Sequence, residues 1–246
     1  MSFLLYCIFQ NSLDFEIDGL TGVKGQPLAL LTHNGLGGVA SILSSPQLPL
    51  ADLATIMTYQ RVIDYLHRQQ TIIPMRYGCI FDGEGQIARL LEDRFDEYRT
   101  LLEELEGCVE MGIRVLPEDP EKEEKLPLMK KNDPVMPVSN PGEMGRAYLA
   151  ARKSYYARKN LLVVSEKAVI ENILVPFAGI FVRYKAEKST PMMRNHGASA
   201  HMLSLYFLVR RGKVEAFRQV FQALTPHCSA KLLLSGPWAP FNFVVP

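Results

Sequence analysis

The stretch MLSLYFLVRRGKVEAFRQVFQALTPHCSAKLLLS, Met202–Ser235, decides how the second half of this chain folds. Its first eight residues, Met202–Val209, are an apolar and aromatic run of strand length. Lys213–Leu224 then sets Val214, Phe217, Val220, Phe221 and Leu224 on one side of a short helix, and Lys231–Ser235 returns as a strand. Working upstream, Ile180–Lys185 reads as another strand. Before it, a long helical tract begins near Pro141-Gly142. Met144, Ala147, Tyr148, Ala151 and Tyr155 form one stripe of that tract, and Val169, Ile170, Ile173, Leu174 and Phe177 continue it. Ser165 fits either a cap between two helices or the interior of one. With Val109–Val115 as the opening strand, the order from residue 109 is β, α, β, β, α, β. That is the ferredoxin-like split βαβ pattern, an α+β sandwich with helices on one face of an antiparallel sheet.

The first half reads as strands followed by helices. Phe3–Phe9 is an apolar strand. Leu28–Thr32 and Val39–Leu43 flank His33-Asn34-Gly35-Leu36-Gly37-Gly38, where Asn-Gly signals a hairpin and the glycines suggest a loop longer than two residues. Leu50–Gln70 reads as helix, with apolar residues at Leu50, Leu53, Ile56, Met57, Ile63 and Leu66. Thr71–Tyr77 reads as a short strand that Pro74 confines to an edge or an end. Asp82–Gly85 turns into one helix over Gln86–Glu106, whose apolar residues recur at steps of three and four until Gly107 stops it.

A chain of 246 residues exceeds the usual size of one core. The expected division is an acidic α+β domain over 1–106 and a basic ferredoxin-like domain over 107–246. The second contains a charged, Pro-rich loop at 117–142 and a Pro- and aromatic-rich tail at 236–246. Residues 1–106 carry 7 Lys/Arg against 14 Asp/Glu, and residues 143–246 carry 15 against 5, although the whole chain nets only +1. Such a split suggests either two halves that dock on complementary faces or halves that address separate partners. Cys7, Cys79, Cys108 and Cys228 show no metal or disulfide spacing and read as reduced thiols of a cytoplasmic protein. No stretch suits a membrane span: the longest uncharged one, Asn34–Ala51, is broken by Gly and Pro.

A search for chemistry finds no GxSxG, P-loop or HExxH. Gly35-Leu36-Gly37-Gly38 lacks the spacing and context of a phosphate cradle. His196 and His201 lie five apart in a loop but have no further ligands nearby, and Glu103, Glu104 and Glu106 read as a solvated helix end. No catalytic residue, metal or cofactor is expected. RNA binding and ligand sensing are the rival readings of a basic ferredoxin-like module. Against the first, Phe177–Tyr184 matches only the last four positions of the RNA-recognition signature and falls on the wrong strand. Against the second, no cluster of convergent polar groups is evident.

Several segments, in order, resemble the gas vesicle protein F and L family. They are Phe3-Leu4-Leu5-Tyr6-Cys7-Ile8; Pro74-Met75-Arg76-Tyr77-Gly78, like the family's PxRFG; and Leu105-Glu106-Gly107-Cys108-Val109-Glu110, like its L-x-G-x-x-E. Gly145-Arg146-Ala147-Tyr148-Leu149 and Gly236-Pro237-Trp238-Ala239-Pro240-Phe241-Asn242-Phe243-Val244, like its TGPWPPYSFV ending, complete the set. Length and two-domain order favour the F branch.

The resemblance implies a non-enzymatic accessory protein of gas vesicle assembly, a minor component located at the gas vesicle or in the cytoplasm. Its implied partners are the small apolar major shell protein and other accessory gas vesicle proteins, not nucleic acid or membrane. It would keep the shell protein from aggregating before nucleation. Such a binder needs an apolar patch with a polar rim. The candidates are Met192 and Met193, the tail aromatics Trp238, Phe241 and Phe243, and the pair Arg76 and Tyr77. The competing expectation is structural. The tail rings would pack against the C-terminal domain, and Arg76 and Tyr77 would seal the core, with Arg76 pairing a carboxylate.

Overall fold

The computed structural model describes residues 1–11, 17, 19–43, 50–116, 167–188, 192–193, 199–200, 202–228 and 230–244. The predicted 117–142 loop, the first part of the predicted long helix, and His196 and His201 lie outside them.

The first sheet is built around β1 (Ser2–Gln10), with strand order β2-β3-β1-β4. β2 (Leu28–His33) and β3 (Leu36–Leu43) form the predicted hairpin. Its turn is two residues, not longer. Asn34 and Gly35 both have positive φ, 48° and 86°, which suits the right-handed twist of the hairpin. Gly37 and Gly38 belong to the strand: a side chain on Gly37 would collide with the Phe9 ring, so glycine leaves that space to the ring. On its other side β1 pairs with β4 (Ile72–Pro74) through Cys7–Phe9 and with β5 (Ile80–Phe81) through Phe3–Leu4. Pro74 therefore ends an edge strand, as expected.

Pairing of β1 with β3 steps from Leu5↔Ala40 to Cys7↔Val39, leaving Tyr6 as a bulge. Alternation resets there, so Tyr6 and Cys7 face the same core. This central strand is buried on both faces, which is why its sequence is continuously apolar. One face carries Leu4, Tyr6, Cys7 and Phe9 against Tyr59, Val62, Ile63 and Leu66 of α1 (Leu53–Gln69). The other carries Phe3, Leu5 and Ile8 against α2 (Glu84–Asp93) and α3 (Phe95–Leu105). The single helix expected over 86–106 is thus two. The backbone leaves helical geometry at Arg94 (φ −116°, ψ 24°), yet Ile87, Leu91, Tyr98 and Leu102 still face one core, so the apolar period carries no trace of the break.

The second sheet is antiparallel, order β11-β6-β10-β7: β6 (Cys108–Leu116), β7 (Phe181–Lys188), β10 (Leu203–Arg210) and β11 (Lys231–Trp238). Between β7 and β10 lie two short paired strands, β8 (Met192–Met193) and β9 (Ser199–Ala200). One face of this sheet packs Val109, Met111, Ile113, Leu205 and Phe207 against Ile173 of α4 (167–174), Phe177, and Phe217 of α5 (Val214–Leu224). The opposite face sends Cys108, Tyr206 and Leu208 into the α2–α3 core, so the sheets are joined through an apolar layer.

Candidate protein-binding surfaces

The tail, expected to pack on the second half, crosses to the first past Trp238. Ala239 is fully buried among the α1-side core residues and Phe241 packs against the same cluster, whereas Phe243 enters the α2–α3 core. A buried carboxylate of the second half anchors this segment between the two cores. Glu110 on β6 accepts hydrogen bonds from the Asn242 backbone N–H at 2.8 Å and from Asn242 Nδ2 at 2.6 Å. Burial pushes its carboxyl above the usual carboxylate range, and the Asn242 donors oppose that. Gly236 has φ 101°, and a Cβ there would stand 2.6 Å from the Glu110 carbonyl oxygen, so β11 bends where only glycine fits. Two sequence motifs, one ending at Glu110 and one spanning Gly236–Val244, therefore meet in space. Arg183 completes the fastening: its guanidinium lies 5.4 Å from the centre of the Phe243 ring and 3.1 Å from Glu104 on α3.

The seven candidate residues do not form one site. Phe241 and Phe243 serve the two cores. Trp238, at the end of β11, stays 43% exposed. Met192 and Met193 pair with Ala200 and Ser199 in their own two-stranded ribbon. Tyr77 meets the Tyr59 ring edge-on at 5.2 Å, and Tyr59 stacks on Tyr6 at 4.7 Å. The Tyr6 hydroxyl lies 2.7 Å from Ser41 Oγ and accepts from the Val23 N–H; the Tyr59 hydroxyl lies 2.9 Å from the carbonyl oxygens of both Leu5 and Met75. Tyr77 thus seals the core, as expected. Arg76 is exposed and, among the described residues, joins no carboxylate, which corrects its expected ion pair. The adjacent backbone is already held by Met75 N–H to the Tyr6 carbonyl and Leu5 N–H to the Cys79 carbonyl, so nothing draws Arg76 inward.

The sequence reading missed a surface on α1. Asp52 caps this helix, its carboxylate accepting from the Thr55 N–H at 2.7 Å, and that bond holds its carboxyl below the usual range. Of the apolar residues assigned to the helix, only Ile63 and Leu66 are buried. Leu50, Leu53 and Met57 are 78, 76 and 58% exposed, and Ile56 lies beside them. The spacing of Leu53, Ile56 and Met57 aligns them on one side of the helix start, and Leu50 lies just before the cap. Burial of Tyr59, Val62, Ile63 and Leu66 satisfies the core, so this second stripe contributes nothing to it. Asp52 at the cap and Arg61, one turn past Met57, are exposed polar neighbours of the stripe. The result is an apolar patch with a polar rim.

Among the described residues no group of His, Cys, Asp and Glu could hold a metal ion, and no helix is long and apolar enough to cross a membrane.

The model of the family "Gas vesicle synthesis protein GvpL/GvpF" matches residues 2–245. Gas vesicle protein L of Streptomyces sp. (strain CB03234) is 22% identical over 92% of this chain and 86% of its own length. Gas vesicle protein F of the same strain is 22% identical over 99% of this chain and all of its own length. The fold is that of the crystal structure of GvpF from Anabaena sp. PCC7120, with a TM-score of 0.71, 18% identity, and coverage of 99% of this chain and 96% of that one. Matched from residue 2 to residue 245, the chain belongs to the gas vesicle GvpL/GvpF family.

Proposed function

We propose that this protein acts in gas vesicle assembly as a non-enzymatic accessory component, binding the small apolar shell protein and keeping it from aggregating before nucleation. The observation that carries the reading is the stripe of Leu53, Ile56 and Met57 on α1, with Leu50 just before it, presented to solvent by a helix whose core face is already complete. A shell protein with a gas-facing apolar side exposes in its free state a surface that water disfavours. A matching exposed stripe with a polar rim is what transient cover requires. Trp238 and the Met192–Met193 ribbon are additional contacts in this reading, and other accessory gas vesicle proteins are further partners. The site of action is the gas vesicle or the cytoplasm around it. We further infer two domains, 1–106 and a ferredoxin-like 107–246. The strand order β11-β6-β10-β7 and the element order from β6 to β11 support that division.

The test is light scattering of the shell protein diluted from denaturant, with and without this chain. Dose-dependent suppression is expected, and it should be lost in Leu53→Glu/Met57→Glu, whose exposed positions leave stability within about 0.5 kcal/mol of the parent. Unchanged aggregation with the folded parent chain refutes the chaperone role. Full suppression by the folded variant moves the contact away from α1.

A further inference from the structure

The outer strands of the two sheets are not alike. β4 is three residues long and ends at Pro74. β7 carries Arg183, Lys185, Glu187 and Lys188. β11 carries Lys231 and Pro237, and its register breaks between Ser235 and Trp238. Brevity, charge, proline and bulges are the devices that keep a sheet edge from taking a further strand. β2, Leu28–His33, has none of them: it holds no Lys, Arg, Asp, Glu or Pro, and it runs in unbroken register with β3 from Leu28↔Ser41 to His33↔Leu36.

The outer backbone of β2 is unpaired in a definite pattern. Across a two-residue turn, His33 and Leu36 form a hydrogen-bonded pair, and Leu31 and Ala29 repeat it at every second position. The bond from the Ile42 N–H to the Pro27 carbonyl continues that series. The N–H and C=O of Leu30 and Thr32 therefore point away from β3, both residues are exposed, and no described strand meets them. They border a groove of about 280 Å³ between β2 and α2, whose helix wall is Gly85, Ala88 and Leu91. Open space lies beside Gly85, and His33 Nε2 is buried at the groove without a hydrogen-bond partner among the described residues.

Only an extended chain presents donors and acceptors at the two-residue spacing of Leu30 and Thr32, and its alternate side chains would enter the groove. A second copy suits the edge poorly. Pairing two β2 strands lays both α2 helices on one face of the joined sheet, and each brings Glu84 at the groove and Glu92, 3.7 Å from His33. We infer that the occupant is an extended apolar segment of the shell protein, added to β2 as a further strand. This rests on the shell-binding reading above, but α1 packs on the opposite face of the sheet from α2, so the two contacts are separable.

The test titrates the full chain with peptides tiling the shell protein. At least one apolar tile should bind and slow hydrogen exchange at the Leu30 and Thr32 amides. N-methylation of every second residue of that tile should weaken binding about tenfold or more in one phase, which faces β2, and leave it nearly unchanged in the other. Leu30→Pro deletes an outward donor while sparing the bonds to β3 and should weaken binding similarly; Leu53→Glu/Met57→Glu should not. Melting establishes that each variant is folded, and if Leu30→Pro is not, Leu30→Lys/Thr32→Lys takes its place. A parent chain that suppresses shell aggregation while no tile binds overturns the inference and leaves the reading above standing. Binding indifferent to the phase of N-methylation, or to the folded edge variant, overturns it equally. A tile bound at β2 in this way, with no suppression by the parent chain, supports the edge site and refutes the chaperone role; neither binding nor suppression refutes both. Protection of Leu30 and Thr32 that grows with the concentration of the free chain assigns the edge to a second copy and overturns the inference.

Discussion

Replacing Asn242 by Ala removes one of the two donors that face Glu110 and leaves Glu110 Oε1 without its 2.6 Å partner in a site only 5% exposed. A hydrogen bond to a charged group contributes about 1.5–3 kcal/mol, and the loss is felt in full because water cannot replace the donor there. The expected cost is about 2 kcal/mol at pH 8, or about 4–8 °C in melting temperature for a chain of this size. The pH dependence follows from the direction of the Glu110 shift. Its carboxyl is raised in the folded state, so the folded state binds the extra proton, and stability rises as pH falls through the folded value toward the unfolded one. Loss of a donor raises the folded value further, so the cost of Asn242→Ala is largest above that value and shrinks below it. Urea unfolding of both proteins at pH 8 and pH 5, with Glu110→Ala and the double variant to close the cycle, measures this. A cost under about 0.5 kcal/mol at pH 8, or the same cost at both pH values, refutes the reasoning.

Two further outcomes are open to the same assay. Gly37→Ala drives a methyl into the Phe9 ring and should cost about 1–3 kcal/mol, whereas Gly38→Ala, whose new atom would meet Leu5 Cδ1 at 3.0 Å, should cost less; equal costs would mean that the ring moves freely. Burial lowers the His67 imidazole to about 4, with Arg211 adding to the effect. Stability present above the ordinary His value should therefore be lost as pH falls from about 6.5 to about 4, by up to about 3 kcal/mol. His67→Leu should remove that part of the acid dependence, and identical slopes in parent and variant would exclude it.

What the sequence made legible was whatever one segment decides by itself. Phe3–Phe9 reads as an apolar strand, Pro74 as a strand end, and Val109–Val115, Ile180–Lys185, Met202–Val209, Lys213–Leu224 and Lys231–Ser235 as strands and a helix, because each has its own period. What it hid depends on a distant partner. Gly37 and Gly38 look like loop residues until the Phe9 ring is seen against the first and Leu5 against the second. The break at Arg94 leaves the apolar stripe unbroken, so no residue type announces it. Leu50–Gln70 holds two apolar stripes, and only packing reveals that Tyr59, Val62, Ile63 and Leu66 are taken and Leu53 and Met57 are not. The aromatic segment after Trp238 would look the same docked on either half, and its anchor, Glu110, lies 132 residues away. Of the candidate surface, Arg76 and Tyr77 were legible as a motif, while Leu53 and Met57 stood only among the apolar residues of the helix.

The crossing of Ala239 and Phe243 into the first half bears on how the chain is made. β1 leaves the ribosome long before Ala239 and Phe243, which close its two cores. Until Ala239 and Phe243 emerge, the α1-side and α2–α3 cores each lack an apolar neighbour, so the first half waits, incompletely sealed, through the synthesis of the second. Contacts this far apart in sequence are slow to form, and the waiting half offers apolar surface for that whole interval. A nascent chain of this kind is itself in need of cover at the moment when, in the proposed role, its product would be covering another.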